Sequence, residues 1–367
     1  MDKVKRIILC PITTSICNFR CRYCYLSQRD EAYQGKQAVF QYPPEYVAKA
    51  LSKERLGGTC YFNLCADGET LLTKNIDQYI LAIVQEGHYV EIVSNLSVTP
   101  MLNTILGFDR ELLDRITFKC SFHYLQLKER GLLEAFATNV KSIWERGCSA
   151  NIEVTPDDEL IPYIDELKSF SVKHFGALPH LTIARDDRTG HDFLTRLSRQ
   201  EYIDTWSSFD SNFWQFKMET FNVKREEYCY AGAWMLILNL ETGTARQCYY
   251  SHYEQNIFDD LTKPIRWRPI GKCLDTHCYN SHALLTLGCI PHFTNVRYGD
   301  IRDREKPDGS HWIQPKMKAF LNSKLEESNE ELSASAKVMN AAKITGYRCG
   351  LLFRKVGRKI FGGNKRK

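Results

Sequence analysis

The first half of the chain alternates between short apolar runs of strand length and longer stretches with helical spacing. Ile7-Ile-Leu-Cys-Pro11, Cys60-Tyr-Phe-Asn-Leu-Cys65, His88-Tyr-Val-Glu-Ile-Val-Ser94, Ile116-Thr-Phe-Lys-Cys-Ser121, Cys148-Ser-Ala-Asn-Ile-Glu-Val154 and His180-Leu-Thr-Ile-Ala184 read as six strands. Between them Ile76, Ile80, Ile83 and Val84 recur on one helical face, and helices are predicted over 76–86, 102–113, 128–145 and 159–170. Near-continuous apolar strands separated by helices predict a parallel α/β sheet. Six units in about 185 residues suit a partial (β/α)6 TIM-like barrel better than a closed eight-unit one.

In such folds the chemistry collects on the loops after the carboxyl ends of the strands. The loop after the first strand carries Cys17-Asn-Phe-Arg-Cys21-Arg-Tyr-Cys24, three thiols in a C-x3-C-x2-C spacing. Asp67-Gly68-Glu69 follows the second strand, Ser94-Asn95 ends the third and Ser121-Phe-His123 the fourth. All four groups are therefore expected at one mouth. Three close thiolates suit a soft metal centre, zinc or iron–sulfur, and the local run offers no fourth ligand. Either a distant residue completes the set or one coordination position stays open.

Composition narrows the class. The 367 residues are 43% hydrophobic and 25% charged, those of a globular protein with a sizeable core. Fourteen cysteines occur without an export-like apolar segment ahead of them, so they read as ligands or buried thiols in a reducing cytoplasm. The formal charge is +5, but nine Lys or Arg and no acid lie in 343–367, which leaves the rest at −4. That balance argues against a nucleic-acid partner. At the end of the chain Leu352, Phe353, Val356 and Ile360 share one helical face, with Arg354, Lys355, Arg358 and Lys359 opposite. Such a helix suits weak contact with the inner, anionic face of a membrane.

The cysteine loop resembles that of radical S-adenosylmethionine (radical SAM) enzymes, whose signature is C-x3-C-x-aromatic-C, with Tyr23 at the aromatic position. The resemblance implies a [4Fe–4S] cluster held by Cys17, Cys21 and Cys24. S-adenosylmethionine (SAM) would chelate its fourth iron and be cleaved reductively to a radical that takes hydrogen from a substrate. It also implies that Gly68 and Glu69 receive the amino group of SAM. Ser94 and Asn95 would then meet its ribose and carboxylate, and Ile152 and Val154 would flank the adenine. Asp67 stands where the family has the first glycine of that element. His123 is a candidate acid–base residue, equally readable as structural. Cys65 and Cys120, near strand ends, are further candidates for thiol chemistry.

The second half adds five cysteines. Cys229 and Cys248 flank a predicted hairpin, Trp234–Leu240 and Thr244–Cys248 around Gly243, and Cys273, Cys278 and Cys289 follow. This stretch resembles the SPASM or shorter Twitch domain of radical SAM enzymes, a β-hairpin-plus-helix module that implies a second, auxiliary [4Fe–4S] cluster. Ile270-Gly271 matches a landmark of that domain, whereas Ser281 replaces the second cysteine of its closing pair. Cys273, Cys289 or the substrate would then complete the ligand set. The expected organisation is a barrel over 1–188, a helical connection over 189–228, the auxiliary domain over 229–300, and an extension with the basic tail over 301–367. Within the family such domains serve sugar oxidation or epimerisation and peptide maturation. Six residues before the first strand favour a small-molecule substrate over a peptide, with a flavodoxin or ferredoxin as reductant. A non-catalytic iron–sulfur or zinc protein is the competing class.

Overall fold

A computed structural model describes residues 2–28, 33–190, 192–249, 251, 253–278 and 280–361; side chains are described up to 351. Six strands, β1 (Arg6–Ile12), β2 (Cys60–Ala66), β3 (Tyr89–Ser94), β4 (Ile116–Ser121), β5 (Ser149–Val154) and β6 (His180–Leu181), pair in sequential order and all parallel. Each crossover carries helix, as parallel pairing requires. The register sets Ile8 beside Phe62, Phe62 beside Val90, and Phe118 between Ile92 and Ala150, so buried apolar side chains stack across the sheet.

Three predicted helices divide into shorter pieces. The stretch 102–113 splits into Thr99–Leu106 and Arg110–Leu113 around Gly107. The stretch 128–145 splits into Tyr124–Glu129 and Leu133–Glu145, with Gly131 between them at φ 65°. Pro162 lacks an amide proton, and the segment 158–163 is a 3-10 turn that becomes α-helix only at Ile164–Phe175.

The predicted hairpin, Met235–Leu238 with Thr244–Arg246, does not stand apart from the sheet. Met235, Leu236 and Ile237 pair in parallel with Ile7, Ile8 and Leu9, which continues the barrel sheet beyond β1. Glu254–Asn256 adds a last strand, so nine strands run from that edge to β6 without closing. Gly243 makes the turn at φ 76°, where a Cβ would sit 2.4 Å from the Phe258 side chain. The predicted aromatic connection forms helices Arg199–Trp206 and Asn212–Thr220, and Trp206, Phe209, Phe213 and Trp214 are buried.

A segment with no signal in the apolar pattern, Tyr298–Asn322, covers the amino ends of the strands. Phe320 stacks on Tyr89 at 3.7 Å, the Ala150 amide donates to the Trp312 carbonyl at 3.1 Å, and the Gln314 amide donates to Ser149 Oγ at 2.9 Å. From it Arg302 reaches into the barrel. A final helix, Ala334–Phe361, is tied down by Asn340, whose Nδ2 donates to the Pro269 carbonyl at 2.9 Å. The apolar and basic side chains expected to face a membrane, from Leu352 to Ile360, lie outside the described residues. No helix among the described residues is long and apolar enough to cross a membrane.

Candidate cluster and cofactor site

Strand phase brings the predicted groups to one cleft. Cys17, Cys21, Cys24, Gly68, Glu69, Ser94, Asn95 and His123 line the same open space of about 480 Å³ at the carboxyl ends of β1–β4. The loop that holds them is zipped to the extension of β1: the amides of Asp67, Gly68 and Glu69 donate to the carbonyls of Ile12, Thr14 and Ile16 at 2.9, 2.7 and 2.9 Å. Gly68 is required there, because a Cβ would lie 2.2 Å from the Ile16 carbonyl oxygen. Asp67 has its own task. The Tyr25 hydroxyl donates to its carboxylate at 3.1 Å and to its carbonyl at 2.9 Å, which ties it to the cysteine loop.

Glu69 is 3% exposed and accepts from the Leu71 amide (2.9 Å), Ser94 Oγ (2.6 Å) and the Asn95 amide (2.8 Å). Burial raises its pKa above the ordinary carboxylate value against the pull of those bonds. Ser94 and Asn95 thus position Glu69, a relation the resemblance did not supply. Asn95 Nδ2 also donates to Asn18 Oδ1 at 3.0 Å, inside the cysteine loop.

The Tyr23 hydroxyl lies 2.7 Å from His123 Nδ1, and burial lowers the imidazole pKa to about 4, so the ring is neutral near pH 7. Ile152 and Val154 are fully buried in the core and do not line the cleft. Cys120 is likewise core, whereas Cys65 faces the cleft.

The donor set suits a cluster. Cys17, Cys21 and Cys24 are free thiols, and among the described residues no three His, Cys, Asp or Glu side chains close on a single-ion site. Three soft sulfur donors on one loop around an open cleft suit an iron–sulfur centre, and Cys65 brings a fourth thiol to the same cleft from the end of β2. Burial pushes the Cys17 thiol up to about 11 and Cys21 to about 12, so loading must draw protons off them.

The second group of cysteines also converges. Cys229, Cys248, Cys273 and Cys278 line one small apolar space with Met235, Ile270 and Leu284. Cys289 is buried against Cys229, and their side chains are hydrogen-bonded. Cys273 Sγ sits 3.4 Å from Asp275 Oδ2, a carboxylate that competes with metal for that thiol. The five thiols predicted on spacing therefore form one group around the hairpin end.

Between the two cysteine groups lies a central cavity of about 1260 Å³ including its solvent mouth. Cys65 and Val93 line both it and the first cleft, and Tyr249, Asn280 and Leu284 line both it and the second. Glu91 and Lys119 line it, and they belong to a buried charge network that the motif reading passed over. Arg302, 2% exposed, donates to Glu91 Oε1 at 2.5 Å, Glu153 Oε1 at 3.0 Å and Asn151 Oδ1 at 2.8 Å, and Lys119 pairs with Glu153 Oε2 at 3.0 Å. The signal was present: a single charged residue interrupts each of three apolar strands, at Glu91, Lys119 and Glu153.

No family model matches the chain, and no curated protein does. Among solved structures it is similar to SuiB of Streptococcus suis bound to S-adenosylmethionine, with 13% identity over 71% of this chain and 64% of that one, TM-score 0.49. It is also similar to anSMEcpe with bound AdoMet (13% identity, 71% and 77% of the two chains, TM-score 0.47). A third is BtrN in complex with AdoMet and 2-DOIA (14% identity, 71% and 84%, TM-score 0.37). The match thus spans slightly less than two thirds of the length of SuiB.

Proposed function

We propose that the protein is a radical SAM enzyme with two iron–sulfur clusters, acting on a small polar molecule held in the central cavity. One observation carries the reading. Three cysteines of one loop share a cleft with a buried carboxylate, and Cys65 and Val93 line both that cleft and a second cavity lined by charged residues. An electron-transfer or assembly protein has no use for that carboxylate or for the cavity behind it.

Cys17, Cys21 and Cys24 would hold the first cluster, and Glu69 is placed to accept the ammonium of SAM. Bound there, the cluster supplies one electron, and SAM a carbon radical able to take a hydrogen atom. Ser94 and Asn95 fix Glu69, and the Asp67–Tyr25 contact fixes the loop. Cys229, Cys248 and Cys278, with Cys273 or Cys289, would hold a second cluster on the far side of the cavity. Held by those cysteines, such a cluster would supply an electron acceptor for a net oxidation of the substrate.

The test is cluster assembly. After anaerobic loading, wild type should carry about eight irons per chain and the Cys17→Ala/Cys21→Ala/Cys24→Ala variant about four. Equal iron in both, or zinc in place of iron, would sink the assignment.

A further inference from the structure

We propose that the floor of the central cavity is an anion subsite, which holds a carboxylate or phosphoryl group of the substrate against Lys217 and Lys119. The proposal deepens the radical SAM reading and rests on it for the identity of the cavity as the substrate site.

The charge pattern is the first observation. Two carboxylates, Glu91 and Glu153, serve the cavity floor, and both are held by Arg302. Glu153 also neutralises Lys119. Of these groups only Glu91 and Lys119 line the cavity itself; Lys217 and Arg185 line it too, so three lining cations stand against one lining acid. Lys217 has no ion pair among the described residues; its Nζ donates only to Thr182 Oγ1, at 2.5 Å. Burial first, then the nearby Lys119, lowers its pKa to about 7. The Phe213 ring lies 4.7 Å from the same Nζ, but among the described residues no carboxylate at ion-pair distance offsets the cost of keeping this ammonium beside Lys119. A substrate anion would offset that cost.

His282 is the second, independent observation. Its imidazole lines the same cavity, packs edge-on against Phe213 at 5.4 Å, and has no hydrogen-bond partner among the described residues. A polar ring left open beside two lysines is a further donor for an oxyanion. The subsite shares its cavity with Cys65 and Val93, which also line the first cleft. A molecule anchored there would extend its other end toward the first cysteine cleft, so the anion sets which carbon meets the radical.

The experiment is calorimetric titration of the cluster-loaded full chain, with SAM present to fill the first cleft. Sodium sulfate is the probe for the phosphoryl class and sodium acetate for the carboxylate class, with wild type, Lys217→Met and Lys217→Arg as proteins. Wild type should bind one of the two with a dissociation constant of about millimolar order, and the tighter probe names the class. Lys217→Met should weaken that binding about tenfold or more, and Lys217→Arg should keep it. If Lys217→Met does not melt cooperatively, Arg185→Gln takes its place. No saturable binding of either probe, or binding unchanged by loss of the charge, overturns the subsite. SAM cleavage by wild type without any substrate is measured separately. Cleavage without anion binding sinks only the subsite, and anion binding without cleavage sinks only the radical reading.

Discussion

Replacing Arg302 by Met should destabilise the whole barrel, although the residue touches neither cysteine group. Arg302 is 2% exposed and joins Glu91 on β3 to Glu153 on β5. Methionine fills much of the space but leaves Glu91 with Asn63 as its remaining side-chain partner, while Glu153 keeps Lys119 and Asn151. One newly uncompensated buried carboxylate costs about 3–5 kcal/mol. At about 2.1 cal/mol/K per residue, the unfolding entropy of this chain is about 0.8 kcal/mol/K, so the melting temperature should fall by about 5 °C.

The pH dependence separates this cause from simple loss of packing. Burial alone would raise the Glu153 pKa, but Lys119 and Arg302 hold it well below the usual carboxylate range. In wild type that stabilisation is complete above the unfolded carboxylate pKa, and is lost only as the pH falls toward the depressed folded value. In Arg302→Met, taking up a proton relieves the penalty on the carboxylate left without its cation. The gap between the two proteins should therefore narrow as the pH is lowered from 7.5 to 5. Adding Glu91→Gln should restore part of the loss. Calorimetry at the two pH values measures all of this. A gap below about 1 °C, or one independent of pH, would refute the reasoning.

Gly68→Ala should displace the cysteine loop, since its Cβ would meet the Ile16 carbonyl at 2.2 Å; iron content and SAM affinity should both drop, at a cost of about 1–3 kcal/mol. Glu69→Gln keeps the shape of the side chain but removes the charge, and should weaken SAM about tenfold to a hundredfold by equilibrium dialysis while the irons stay bound. Cys229→Ala should lose about four of eight irons and leave SAM binding intact, because its site is separated from the first cleft by the central cavity. Sulfate binding should weaken from pH 6 to 9. Sulfate does not titrate there and Lys217 does at about 7, while Arg302 and Glu153 hold each other charged across that range.

The strands were legible because each is an apolar run buried on both faces, and the three-cysteine loop because its spacing is local. Gly107, Gly131 and Pro162 were visible as letters, yet the helical spacing around them was continuous enough to hide the breaks. The pairing of Met235–Leu238 with β1 was not legible: a hairpin reads from its turn, but the edge it joins is set by contacts more than 220 residues away in sequence. Arg302 and Lys217 were hidden for the same reason. A charged residue in a helix normally reads as solvated, and only the fold turns these two toward Glu91, Glu153 and Thr182. Ile152 and Val154 illustrate the opposite case, where strand phase alone cannot distinguish a residue that lines a cleft from one beneath it.

Anaerobic incubation of the iron-loaded wild-type protein with SAM and dithionite, followed by chromatography for 5′-deoxyadenosine, tests the central claim most directly. The account predicts 5′-deoxyadenosine from wild type and none from the variant lacking Cys17, Cys21 and Cys24. Intact SAM in a reduced, cluster-loaded wild-type sample would contradict it.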